Sequence, residues 1–249
     1  MNLTENFNII KQKNNEVINS LMLKRSLNNN IWEVKDNSVK LYDDVRNKAL
    51  YITKFIVNKL NFELKVTDIL LVGSLCGHGW SKYSDFDLHI VTNNVIDPTI
   101  SEDFFKLIKN SLNDEYNFKI KGFDVEISFQ KDAFDIESSS IYSIYKNEWL
   151  RSEKTTYNIV DLQEIERLGN AIITAYNDFI DNTDLSDAKK VKNIKTIAKN
   201  IKEMRQEGLD SELKEQSVGN LVFKYLRRLD FIKQLKDKQK EIISKVLSL

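Results

Sequence analysis

From Leu41 onward the apolar positions Val45, Ala49, Ile52, Ile56 and Leu60 recur at helical spacing and give way to the run Asp68-Ile69-Leu70-Leu71-Val72-Gly73. That run is too short for a helix, so the pair reads as helix followed by buried strand. After a loop-rich stretch from Cys76 to Ser84, the segment Asp85 to Val91 alternates with period two, which predicts a strand with one polar face. Thr99 and Glu102 form a capping box just after Pro98 and start a helix that turns Phe104, Phe105, Ile108 and Leu112 inward. Two further strands are predicted, Phe118 to Gly122 and Phe123 to Phe129, with a turn at Gly122. In the second, Phe123, Val125, Ile127 and Phe129 share one face and Asp124, Glu126, Ser128 and Gln130 the other.

The remainder has helical periodicity throughout. Asp161 can cap a helix carrying Leu162, Ile165, Leu168, Ile172, Tyr176 and Phe179, and a second helix starts near Ser186 with Ile194, Ile197, Ile201 and Met204. Val218, Leu221, Val222, Tyr225, Leu226 and Leu229 make the stripe of a third, and Ile232, Leu235, Ile242 and Val246 that of a last one. At the other end, Phe7, Ile10, Val17, Ile18 and Leu21 could line a helix before the break at Asn28-Asn29-Asn30. The expected fold is α+β: a peripheral segment over residues 1–40, a short mixed sheet flanked by helices over 41–155, and an all-helical domain over 156–249.

Composition narrows the class. With 249 residues, 41% of them apolar, the chain can bury a substantial core, so disorder is not expected. One Cys excludes a disulfide framework or a thiolate zinc site. No apolar run approaches membrane-spanning length and the start is polar, so a cytoplasmic protein without membrane partners is expected. The 37 basic and 37 acidic side chains balance overall but not locally. From Asp187 to Leu249 there are 16 Lys and Arg against 9 Asp and Glu, a surplus of +7, and the preceding body carries −7. An acidic body with a basic helical tail suits a polyanion held through metal ions at one end and Lys or Arg at the other, and suits an ordinary solvated helix equally.

The chemistry concentrates in two short stretches. Asp85 and Asp87, one residue apart on a strand, project to the same side, and like charges that close are costly unless a cation lies between them. Hard oxygen ligands favour Mg²⁺ or Mn²⁺. Gly73-Ser74 at the end of a strand offers backbone N–H groups and a hydroxyl to phosphate oxygens. A third carboxylate, Glu126 or Asp124, from a neighbouring strand would complete a site for two ions. These are the parts that phosphoryl or nucleotidyl transfer requires.

The order Gly73-Ser74, Asp85-Phe86-Asp87 and a later strand acid resembles the DNA polymerase β-type nucleotidyltransferase superfamily. The segments Trp80-Ser81-Lys82-Tyr83-Ser84-Asp85-Phe86-Asp87-Leu88-His89, Val125-Glu126-Ile127, Ile141-Tyr142-Ser143-Ile144, Asn147-Glu148-Trp149-Leu150 and Asn220 to Arg228 are more closely similar to the predicted nucleotidyltransferases of tailed phages. The resemblance extends from about residue 40 to the C-terminus. It implies a polymerase-β-like domain in which Asp85, Asp87 and Glu126 are catalytic and hold two Mg²⁺ or Mn²⁺ ions. Gly73 and Ser74 would hold the triphosphate. Read from the residues alone, Lys82, Lys224, Arg227 and Arg228 are candidates for triphosphate or acceptor contacts, with plain solvation the expected role for at least two of them. Glu126 is preferred to Asp124 because the family's acid sits between apolar strand residues, although Asp124 shares the pattern.

The implied reaction moves a nucleoside monophosphate from a nucleoside triphosphate to an acceptor hydroxyl with loss of pyrophosphate, in the host cytoplasm if phage-encoded. RNA, a protein or a small molecule could be the acceptor, and the basic tail tilts the expectation towards RNA. The alternative is a non-catalytic binding module, antitoxin-like or directed at a host factor. Among weaker candidates, His89 reads as a strand histidine hydrogen-bonded to a neighbour, and Cys76 as a packing residue. Lys192, Lys195, Lys199 and Lys202, spaced three, four and three, align on one helix side that could follow a phosphate backbone or serve solubility; no aromatic residue interleaves them.

Overall fold

The computed structural model describes residues 14–36, 38–60, 64–93, 98–131, 136, 138–152 and 155–248. The chain divides into two compact units, one running from Leu23 to Thr156 and the other combining the residues up to Met22 with those from Tyr157 on. The architecture is α+β.

In the first unit the strands β3 (Val66–Val72), β4 (Phe86–Thr92), β5 (Lys119–Ile120), β6 (Phe123–Gln130), β7 (Ser140–Ser143) and β8 (Glu148–Ser152) form one mixed sheet. Its order is β5-β6-β4-β3-β7-β8, and only the β4–β6 pairing is parallel. A separate hairpin, β1 (Trp32–Lys35) and β2 (Ser38–Leu41), precedes helix α2 (Asp43–Lys59), and α3 (Pro98–Glu115) joins β4 to the later strands. Val45, Ala49, Ile52 and Ile56 of α2 and Phe105 and Leu112 of α3 pack with Ile69, Leu71, Phe86, Leu88, Ile90, Val125 and Ile127 into the main core. Each of the larger side chains contributes about 1.5–3 kcal/mol by leaving water. Leu70, Val72, Val91 and Ile141 make a smaller cluster of their own. The alternation in β4 is thereby explained: Phe86, Leu88 and Ile90 are buried in the main core, while Asp87 and His89 between them stay half-buried.

The β5–β6 turn uses Lys121 (φ 51°) and Gly122 (φ 87°), both left-handed, as a two-residue hairpin turn of the primed kind requires. The edge of β6 beyond β5 is closed by Asn113 of α3, whose amide donates to the Ile127 carbonyl (3.1 Å) while its oxygen accepts from the Ile127 N–H (3.0 Å). The expected helix after Pro98 is α3; the side chains of Thr99 and Glu102, its capping box, lie outside the described residues, as do Phe7 and Ile10.

Two hairpins escape the periodicity. Strand β7 is buried at every position and β8 at none, so neither alternates. Part of the stretch expected to be peripheral is core: Ile31 and Trp32 are buried, and Trp32 stacks on Trp149 (4.7 Å between centroids) and meets Tyr142 edge-on (5.0 Å).

The second unit is helical in its described residues. A helix over residues 14–19, here α1, buries Val17 and Ile18. It is followed by α4 (Leu162–Ile180), α5 (Asp187–Asp210), α6 (Val218–Arg228) and α7 (Phe231–Leu247). Asp161 caps α4 by accepting from the Gln163 and Glu164 N–H groups, and Ser186 and Ser217 cap α5 and α6 in the same way. Helices α5 and α6 approach closely at Gly219, where a Cβ would stand 2.2 Å from the Met204 carbonyl oxygen. Asp230 in the left-handed conformation (φ 62°) separates α6 from α7.

Candidate active site

Strand β3 ends at Val72, and Gly73 follows with φ 72° and ψ −158°, a backbone conformation suited to glycine. Ser74–Cys76 then form a single 3₁₀ turn, with the Cys76 N–H donating to the Gly73 carbonyl (3.1 Å). A Cβ on Gly73 would meet the Asp87 carboxylate, 1.9 Å from Oδ2, so that carboxylate lies directly against the glycine backbone. Asp87 is in register with Val72 on one side and, across the parallel pairing, with Glu126 on the other. Neighbours in parallel register project to the same face. Four of the expected residues, Gly73, Ser74, Asp87 and Glu126, thus stand at or beside the carboxyl end of β3 and the start of β4.

Asp85 comes immediately before β4, which begins at Phe86 rather than at Asp85. Its place is set by the loop ahead of it. The Ser84 hydroxyl accepts from the Ser74 hydroxyl (2.8 Å) and from the Ser81 N–H (3.0 Å), while the Ser81 hydroxyl accepts from the Tyr83 N–H (3.2 Å). Ser81 and Ser84 are buried, so this small network ties the Gly-Ser turn to the residue adjoining Asp85. Lys82 stands exposed in the same loop with Nζ 5.1 Å from the Tyr83 ring centroid.

The two candidate third acids have different surroundings. Asp124 is opposite Lys119 in the β5–β6 hairpin and ion-paired to it (2.5 Å). Glu126, beside Asp87, accepts from Lys109 Nζ of α3 at 2.6 Å. His89, two residues along β4 from Asp87, accepts at Nδ1 from the Gln130 amide (3.1 Å), the neighbour contact expected of it. Burial, reinforced by the positive charge of Lys109, pushes the imidazole down to about 4, so it is neutral at pH 7.

The turn is also gripped from its far side. Trp32 Nε1 donates to the Leu75 carbonyl (2.8 Å), and Lys24 exchanges two bonds with His78, its N–H donating to the His78 carbonyl (2.8 Å) and its carbonyl meeting His78 Nδ1 (2.9 Å). Trp80 Nε1 donates to the Ser26 carbonyl (2.8 Å). Nothing in the periodicity of residues 24–32 marks this support; the one available signal is the apolar pair Ile31-Trp32 between Asn30 and Glu33. A cleft of about 270 Å³ opens beside the turn, lined by Leu27, Cys76, Gly77, His78, Ser140 and Trp149 among others. Cys76 is buried and its thiol is pushed up by desolvation, as befits a packing residue.

Lys224 lies on α6 in the helical unit, where Nζ is 3.5 Å from Glu215 Oε2 and burial lowers its proton affinity. Among the described residues, no three His, Cys, Asp or Glu side chains are gathered into a ligand cluster, and no helix is long and apolar enough to cross a membrane. The donor set nevertheless suits a hard divalent cation: Asp87 and Glu126 are adjacent carboxylates on one face, both partly exposed, with Asp85 next in sequence to the same strand. Comparison with protein-family models and with curated proteins gives no match for the chain.

Proposed function

We propose that the chain is a metal-dependent nucleotidyltransferase of the DNA polymerase β type, moving a nucleoside monophosphate from a nucleoside triphosphate to an acceptor hydroxyl. The observation that carries this reading is the seating of the Asp87 carboxylate against Gly73, which supports it by bringing an acid within one contact of the Gly-Ser turn. The Ser74 hydroxyl, on giving up its bond to Ser84, and the N–H groups of the turn other than those of Cys76 and Gly77 are the donors that would hold the triphosphate. Asp85, Asp87 and Glu126 would hold Mg²⁺ or Mn²⁺, which when bound supplies charge neutralisation to the triphosphate and acidity to the acceptor hydroxyl. Lys109 holds the Glu126 carboxylate in place.

The test is incubation with each α-labelled nucleoside triphosphate, Mg²⁺ or Mn²⁺, and pools of RNA, cell protein or no acceptor. Asp85→Ala and Asp87→Ala should each lower turnover at least ~100-fold, the loss typical when groups that stabilise transition-state charge are removed. Near-normal turnover in either variant overturns the reading.

One observation favours a second reading, a non-catalytic module that binds a partner. The Lys109 ammonium, 2.6 Å from Glu126, already supplies a cation to the acid. Such a module predicts no metal-dependent nucleotide binding by calorimetry, in the parent chain and in Lys109→Met alike.

A further inference from the structure

We propose that the outer face of α5 is the surface on which the chain holds a single-stranded nucleic acid, its phosphates on a lysine ridge and a base on the guanidinium of Arg205. Naming that nucleic acid as the acceptor rests on the nucleotidyl-transfer reading above; the binding surface itself does not.

Lys192, Lys195, Lys199 and Lys202 are all exposed, whereas Ile194, Ile201 and Gly208 of the same helix are buried. At 1.5 Å per residue the four ammonium groups cover about 15 Å of helix. Lys199 is paired with Glu203 (3.3 Å); among the described residues, no carboxylate lies within ion-pair distance of Lys192, Lys195 or Lys202. Three residues beyond Lys202, on the side of α5 that meets α6, stands the exposed Arg205, and there the structure supplies what the sequence of α5 lacks. Arg205 lies over the ring of Phe223 on α6, 4.4 Å from its centroid. A guanidinium backed by a ring presents a flat cationic face on which a base can stack.

More positive charge gathers at that end. Burial first, and then the neighbouring Arg227, holds the Arg205 guanidinium below its usual range. Lys224 feels Arg228 and Arg227 besides its own burial, with Glu215 as the opposing acid. Such crowding of like charge is relieved by an anion. The ridge, the stacked arginine and the Arg227–Lys224 group all belong to the helical unit, so the proposal needs no particular placement of the other unit.

The experiment measures binding of fluorescent single-stranded RNA, single-stranded DNA, duplex DNA and a polyglutamate peptide by anisotropy across a salt series. It uses the full chain and three variants: Lys192→Gln/Lys195→Gln/Lys199→Gln/Lys202→Gln, Arg205→Gln, and the control Lys233→Gln/Lys236→Gln/Lys240→Gln on α7. The ridge and control lysines lie on the helix surface, and a thermal melt of each variant establishes that it is folded.

We expect the parent chain to bind RNA or DNA with steep salt dependence. The ridge variant should bind at least tenfold more weakly with a log–log slope lower by about 3, since each single-strand phosphate contact accounts for roughly 0.7. Arg205→Gln should weaken single strands several-fold more than duplex, and the control variant should bind as the parent does. No binding by the parent, equal losses in the ridge and control variants, or preference for polyglutamate each overturn the proposal. The RNA and DNA arms identify which nucleic acid is held. An Asp85→Asn/Asp87→Asn chain that still binds through the ridge, where the parent chain transfers no label, would sink the nucleotidyl-transfer reading and leave the surface standing.

Discussion

The Asp87 carboxylate occupies the space that any side chain at position 73 would need: a Cβ on Gly73 would lie 1.9 Å from Oδ2 and 2.9 Å from Cγ. Gly73 also has φ 72°. The two constraints are separable by experiment. Gly73→Ala should destabilise the protein by about 1–3 kcal/mol in chemical denaturation, combining left-handed strain with overpacking. Adding Asp87→Gly removes the clash and leaves the strain, so the double variant should recover part of the loss attributable to Gly73→Ala. Strict additivity would mean that Asp87 does not bear on the glycine.

Trp32 supports the same turn from a stretch with no chemistry of its own. Its indole donates to the Leu75 carbonyl at 2.8 Å in a buried setting. Trp32→Phe keeps an aromatic ring there but leaves that carbonyl unpaired, which costs about 1–3 kcal/mol. Faster amide hydrogen exchange at Ser74–Gly77 would locate the effect at the turn, and on the proposed function nucleotide binding should weaken with it. Unchanged exchange there, with the stability loss intact, would restrict Trp32 to the core.

Cys76 should be chemically silent. It is 1% exposed and desolvation raises its pKa. A thiol whose folded pKa exceeds its unfolded value of about 8.5 contributes instability that is absent below that pH and grows as the pH climbs past it, because the unfolded chain can ionise there and the folded one cannot. Native protein at pH 8 should react with a thiol reagent at least ~100-fold more slowly than denatured protein, because access requires opening. Above about pH 8.5 the parent should lose stability more steeply than Cys76→Ala. Rapid native labelling would contradict the burial.

Gly219 tests the helical unit. Alanine is favoured over glycine within a helix by about 1 kcal/mol, yet a Cβ at 219 would meet the Met204 carbonyl oxygen at 2.2 Å, a backbone atom that cannot swing aside. The clash should win, with Gly219→Ala lowering stability by about 2–3 kcal/mol as α5 and α6 are forced apart. Gly77→Ala is the matched control, since a methyl group there would find nothing within 4 Å. It should be within about 0.5 kcal/mol of the parent.

What the sequence determined by itself was local. The α2, α4, α5, α6 and α7 stripes, the buried β3 and the alternation of β4 and β6 follow from side-chain spacing, because burial on one face imposes a period of 3.6 or 2 wherever an element is long enough to repeat. Gly73-Ser74 and Asp85-Phe86-Asp87 were legible for a related reason, as residue types whose chemistry survives without neighbours. Hairpins β1–β2 and β7–β8 were not legible, since strands of four or five residues, some buried throughout or nowhere, show no period.

Tertiary structure decided everything that depends on distance between segments. Parallel register set Glu126 beside Asp87 and left Asp124 to Lys119; no pattern within β6 distinguishes the two acids, since both lie between apolar residues. Asp87 reaches Gly73 only because β3 and β4 pair, and Trp32 reaches Leu75 across 43 residues of chain. Arg205 meets Phe223 because α5 and α6 pack at a pair of glycines, Gly208 and Gly219, a proximity that arises from close contact and not from spacing along either helix.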